Sequence, residues 1–211
     1  MVMVMPKEKL GFFGKLLAKI GKHYYWWRAR KMSGLLMSLD MLECVRIIYE
    51  YHDNNLPAAL KTFKELGQRA GQSVIYEFLD AGKRIFSRRL EDLPVILQSA
   101  WYIFMGDNIS DIQVIPAKGD MPIRFVWPVE RCVFCAGLKQ DTSIIVNKET
   151  MDWENTRLTW GSAVCGVMES ALQAVLDYVE LPYTISVEET GCIMKGDRFS
   201  EYTAYFWPKK T

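Results

Sequence analysis

"AVCGVMESALQAVLDYVELPYTISV", residues 163–187, places two periodicities back to back. Val164, Met168, Ala171, Leu172, Val175 and Val179 recur at the 3.6-residue spacing of a helix. Glu169, Gln173, Asp177 and Glu180 lie on the opposite side. Pro182 stops the helix, and "YTISVEET" then alternates in the manner of a half-buried strand. A helix feeding straight into a strand requires a fold that packs the two kinds of element on one another. The stretch opens on an unusual pair, Cys165-Gly166, which needs a partner of its own.

The periodicities continue outward in both directions. Leu35, Leu36, Leu39, Leu42, Val45, Ile48 and Tyr49 predict a helix over 35–52. Pro57 suits the first turn of a helix over 57–79, which runs through Leu60, Phe63, Leu66, Val74, Ile75 and Phe78. Gly67 and Gly71 leave one face of that helix bare, at a cost of about 1 kcal/mol each relative to alanine. Close approach by another backbone would compensate. A third helix, about 92–105, ends at the cap signal Met105-Gly106. Alternation at Ile112 and Val114, turn chemistry in "PAKGD" (116–120) and alternation at Ile123, Phe125 and Trp127 predict a hairpin. Residues 129–150 read as a strand-like stretch followed by a loop. "YTISVEET" and "FSEYTAYF", joined through "GCIMKGD", predict a second hairpin. The order is three helices, a hairpin, a helix and a hairpin: α+β, with helices packed on a twisted antiparallel sheet.

Half of the 211 residues are hydrophobic, enough for a substantial core. Five cysteines are too few for a disulfide scaffold and point to a reducing compartment, with thiols buried or metal-bound. A net charge of +1 argues against nucleic acid as a partner. Residues 1–31 nevertheless hold eight Lys and Arg against one acid, Glu8, so the start carries +7 and the rest −6. Lys15, Lys19 and Lys22 interrupt any secretory core, and no run approaches the roughly 18 apolar residues of a membrane span. The expected protein is soluble and cytoplasmic, with a possible peripheral membrane attachment. Its expected division is a basic-aromatic appendage over 1–34 and an α+β domain over 35–211. Within the appendage, Phe12, Phe13, Lys15, Lys19, Trp26, Trp27 and Arg28 are the candidate contacts to a membrane or a protein partner. Two readings stand there: an interfacial helix, or a helix docking its aromatics on the core or a second subunit.

Several stretches together resemble the small TRAPP subunits of the bet-three type and their prokaryotic relatives, the 4-vinyl reductase domain proteins. "LGQRAGQSVIYEFL" (66–79) is similar to their Gly-xxx-Gly helix. "ILQSAWYIFMGDNISDI" (96–112) is similar to the helix that turns into the first strand. The opening stretch matches their Leu-Cys-Gly-Val helix, and "MKGD" (194–197) their last hairpin turn. The resemblance spans about residues 38–206. It implies a central helix across the sheet, with Gly166 permitting close approach and Cys165 facing inward. It also implies dimerisation through the long helices, as a homodimer or with a paralogue, and an apolar channel for a hydrophobic small molecule or acyl chain. In TRAPP subunits the acylated cysteine lies between the second and third helices; "AGKRIFSRRLED" (81–92) has none.

The 4-vinyl reductase branch implies a metal site. Cys165 matches its first ligand and Glu189-Thr190-Gly191-Cys192 its Glu-x-x-Cys, while Ser200 stands where the last Cys would be. Cys132 and Cys135 could supply the missing thiolates, making a four-cysteine zinc site. Free buried thiols and a Cys132–Cys135 redox pair are the alternatives. His23 and His52 are isolated, and no phosphate loop, nucleophile elbow or nicotinamide or flavin fingerprint is present. The expectation is a non-enzymatic assembly subunit of a membrane-tethering type with an apolar pocket. The alternative is a hydrophobic-ligand sensor with a structural zinc site.

Overall fold

The computed structural model describes residues 9, 11–28, 33–82, 86–109, 111–135 and 157–209. Five helices are described: α1 (Phe12–Arg28), α2 (Gly34–Tyr51), α3 (Leu56–Gly82), α4 (Leu93–Met105) and α5 (Ser162–Tyr178). Four strands accompany them: β1 (Gln113–Ile115), β2 (Ile123–Val129), β3 (Tyr183–Gly191) and β4 (Ser200–Pro208). The sheet is antiparallel throughout, in the order β1-β2-β4-β3. The architecture is the expected one, α+β with helices on an antiparallel sheet. The joining of the two hairpins through β2 and β4 is a long-range pairing that local pattern does not encode. Residues 130–135 form a turn rather than a strand, and 136–156 lie outside the described residues.

Period-two alternation sorts the sheet into two faces. Phe125, Trp127 and Val129 of β2, Tyr202, Ala204 and Phe206 of β4, and Ile185 and Val187 of β3 are buried. Trp101 of α4 packs on this face, its ring centroid 6.4 Å from that of Trp127 and 5.5 Å from that of Tyr202. Gly106, at φ 72°, closes α4 in the left-handed conformation that the Met105-Gly106 pair announced.

The bare face of α3 meets α5 backbone to backbone. A Cβ at Gly67 would strike the Ala163 carbonyl, and one at Gly71 would lie 2.5 Å from Val167 O. From the other side, a Cβ at Gly166 would strike Lys64 O and lie 2.9 Å from Gln68 N. Three glycines on two helices therefore make one crossing, and this answers the opening Cys-Gly pair.

Polar residues of α5 reach past the crossing to the sheet's edge. Gln173 Oε1 accepts from Ile185 N (3.0 Å), and its Nε2 donates to Tyr183 O (3.2 Å). Glu169 Oε2 accepts from Val187 N (3.0 Å), and Lys64 of α3, itself 3.0 Å from Glu169, donates to Val187 O (3.4 Å). The polar stripe of α5 is thus bonded to β3 along the edge of the sheet.

Helix α1 packs on α4, but not through its aromatics. Gly14 and Ala18 are buried at the contact. Lys22 donates to Asn108 Oδ1 (3.1 Å), His23 Nδ1 lies 3.1 Å from Tyr102 Oη, and Lys15 pairs with Asp92 at 3.4 Å. Phe12, Phe13 and Trp27 are exposed. Small residues permit the close contact with the core, and Phe12, Phe13 and Trp27 take no part in it. The side chains of Trp26 and Arg28 lie outside the described ones. Among the described residues, no helix is long and apolar enough to cross a membrane.

Candidate functional site

Two features stand out, an apolar cavity among the helices and a buried thiol–carboxylate cluster beneath it. The cavity has a volume of about 720 Å³ and is walled by α2, α3, α4 and α5. Met37, Met41, Cys44 and Ile48 supply the α2 wall; Phe63, Leu66 and Gly67 that of α3; Ile96, Leu97 and Trp101 that of α4; Val164, Val167 and Met168 that of α5. No Ser, Thr, Asn, Gln, His or charged side chain lines it among the described residues. Such a space suits hydrocarbon better than a polar metabolite, because no described lining side chain could replace the water a polar group would lose. Methionines suit walls that must fit flexible chains. Cys44, on the α2 wall, escaped the sequence reading; its signal was its place at i+7 from Met37 and i+3 from Met41 on one helical stripe.

The cluster gathers the five residues that the sequence grouped. The Cys132–Cys135 turn is closed by Cys135 N donating to Cys132 O (3.1 Å), and the two Sγ atoms stand 2.9 Å apart. Ser38 of α2 donates to Val133 O (2.8 Å) and Trp160 Nε1, just before α5, to Phe134 O (2.9 Å), so the turn is tied to α2 and to the segment leading into α5. The Phe134 side chain itself lines the cavity. Cys165 and Cys192 are buried, as is Glu189, whose side chain points inward from β3 while its neighbour Glu188 pairs with Arg157 (3.1 Å) on the other face.

Glu189 Oε2 accepts from Gly161 N (2.9 Å), at the N-terminus of α5, where the helix dipole favours a negative group. Among the described residues, its Oε1 has no hydrogen-bond partner; nor do the buried Ser200 Oγ, Tyr202 Oη and Trp127 Nε1. Tyr202 is the register partner of both Trp127 and Glu189, and Ser200 that of Val129, so these orphans share one end of the inner face. Burial raises the Glu189 pKa even though the Gly161 amide donates to the carboxylate. Burial likewise pushes up Cys165 and Cys192, with the Glu189 charge adding to it. Cys132 is lowered instead, because Cys135 donates to it, and Cys135 rises in consequence.

The chemistry of this donor set suits a thiophilic cation such as zinc, and an orphaned carboxylate oxygen beside thiols is what such a site presents. The present spacing does not: among the described residues, no group of three or more His, Cys, Asp or Glu is arranged to hold a metal.

No family model matches the sequence, and no curated protein matches it. The structure is similar to that of a trafficking protein particle complex subunit 3 from Naegleria fowleri, described as covalently bound to palmitic acid, with a TM-score of 0.56 at 17% identity. The match covers 83% of this chain and 99% of that one. The fold is TRAPP-subunit-like. At that identity the likeness speaks for architecture, and the contents of the cavity must be argued from its walls.

Proposed function

We propose that this chain is a non-enzymatic, TRAPP-like assembly subunit whose helical cavity holds an acyl chain. The observation that carries the reading is the cavity itself: about 720 Å³ with apolar walls throughout, within the roughly 300–1,000 Å³ of ligand pockets. The palmitic acid bound to the similar structure supports the same ligand class. Leu35, Leu36, Leu39, Ile47 and Tyr51 of α2 are exposed, and their apolar surface supports pairing with a second copy or a paralogue. A peripheral role in membrane trafficking follows from this reading.

Titration with a series of saturated fatty acids tests it. Each buried CH₂ contributes about 0.8 kcal/mol, so two further carbons should tighten binding about tenfold until the cavity is full. Affinity independent of chain length would refute the acyl-chain reading. Monomers at tens of micromolar by light scattering would refute the pairing.

A second reading gives the thiol–carboxylate cluster a structural zinc ion, held by Glu189 with thiolates drawn from Cys132, Cys135, Cys165 and Cys192. The unpartnered Glu189 Oε1 favours it. The cation would reverse the upward push on the thiols by stabilising their thiolates. Elemental analysis returning one zinc per chain supports this reading, and none after expression in zinc-supplemented medium refutes it.

A further inference from the structure

Helix α1 is amphipathic in an arrangement that its docking makes permanent. Its contact with α4 uses Gly14, Ala18, Lys22 and His23. On the face turned away stand Phe13, Leu16, Leu17, Ile20, Tyr24 and Trp27, with exposures of 82%, 41%, 53%, 60%, 57% and 72%. At 100° per residue these six positions fall within an arc of about 100°. The stripe runs along a helix about 25 Å long at 1.5 Å per residue. No acid interrupts it: residues 9–31 contain none, and Lys9 and Lys19 lie along the same segment, while Lys15, on the docked side, pairs with Asp92 (3.4 Å). Single exposed hydrophobes need no explanation, but six in one row on one helix do.

We propose that this face of α1 lies in the interface of an anionic lipid membrane, with the stripe seated at the headgroup level and Lys9 and Lys19 meeting lipid charge. The occupant is chosen by charge and by ring chemistry. Two copies packed stripe to stripe would bring Lys9 and Lys19 of each together, and residues 9–31 hold no acid to pair them. An anionic surface supplies the missing sign over the whole length of the helix. Trp27 and Tyr24 at one end are the residue types that settle at a membrane–water boundary. Because α1 is already folded against α4, binding requires no coil-to-helix ordering, and the body of the protein is held at a set angle to the surface. The inference is independent of the acyl-chain reading: the cavity lies among α2, α3, α4 and α5, and its occupancy can be measured in solution without vesicles.

The test is co-sedimentation of the full-length chain with vesicles of phosphatidylcholine alone or with phosphatidylserine. A Leu17→Glu/Ile20→Glu variant is run in parallel. Both side chains are exposed, so unchanged near-ultraviolet dichroism should confirm that the variant folds; a Leu17→Ser/Ile20→Ser variant serves if it does not. The expected result is binding to serine-containing vesicles at low salt, weaker at 0.15 M and weaker again at higher salt, since the lysine attraction is screened while apolar burial is not. The variant should lose at least tenfold. Equal binding by wild type and variant would overturn the proposal. So would indifference to serine-containing vesicles at low salt, or a variant that turns a dimer into a monomer, which would place a second copy on the stripe.

Discussion

Replacing Gly166 with alanine tests whether the α3–α5 crossing holds the fold together. The new methyl would strike Lys64 O and stand 2.9 Å from Gln68 N, where ordinary contact begins at 3.4 Å. Both atoms belong to helical backbone and cannot rotate aside. Relief would therefore require α5 to move off α3 by at least roughly 0.5 Å, the difference of those distances. In an open helix the substitution would gain about 1 kcal/mol of helix propensity. Overpacking a filled contact costs about 1–3 kcal/mol, and contact with two fixed atoms places this case at the upper end. The expected net loss is about 2 kcal/mol, a fall in Tm of about 4–8 °C for a chain of this size. Gly21→Ala is the control, since a Cβ there meets nothing within 4 Å. It should be neutral or stabilising. Thermal unfolding followed by circular dichroism compares the two. A Gly166→Ala protein melting at or above wild type would refute the account of the crossing.

Glu189→Gln should change the pH dependence of stability. Burial raises the carboxyl's folded pKa, so the folded chain holds the proton more tightly than the unfolded chain. This contribution is full below the unfolded value of about 4.3 and is lost as pH rises through the folded one. The glutamine variant should thus gain Tm relative to wild type as pH rises from 4 to 8; a relative loss at pH 8 would instead mark Glu189 as a metal ligand. Cys165→Ser should cost about 1–3 kcal/mol in urea unfolding, because a buried hydroxyl without a partner replaces a thiol. If zinc is bound, excess chelator lowers the wild-type Tm and leaves Cys192→Ser unmoved; equal response of the two would argue against Cys192 as a ligand. Ala100→Phe, on the cavity wall, should fill space and weaken palmitate binding at least tenfold by fluorescence displacement while the fold persists.

What the sequence showed followed from local geometry. The stripe of α5, the glycine pairs awaiting a close neighbour and the cap at Gly106 are all set by neighbours within a few turns. The period-two alternation of β3 puts Glu188 and Glu189 on opposite faces, as any strand would. The orientation of α1 was hidden because its apolar stripe is the usual sign of a buried face, whereas Gly14 and Ala18, too small to register as a stripe, make the contact. The cavity was expected from the family resemblance alone, because its walls come from four helices, each of whose lining residues reads as ordinary core. The grouping of Cys165, Glu189 and Cys192 came from the family resemblance, and Cys132 and Cys135 were added to supply missing thiolates; spacing alone could not bring residues 132 and 192 together. Their detailed spacing, with two Sγ atoms at 2.9 Å, was beyond any sequence pattern.

The bonds from Gln173, Glu169 and Lys64 to β3 bear on how this molecule can join others. A strand at the end of a sheet ordinarily offers unpaired amides and carbonyls, an invitation to any extended chain. Here Tyr183 O, Ile185 N, Val187 N and Val187 O are already taken. A neighbouring polypeptide cannot extend the sheet on that side without first displacing three side chains of α3 and α5, two of them ion-paired to each other. The opposite border, β1, is three residues long and offers too short a template for stable addition. Continuous sheets across subunits are thereby discouraged at both borders, and larger assemblies are left to form through helical surfaces, where side-chain shape rather than backbone pairing selects the partner.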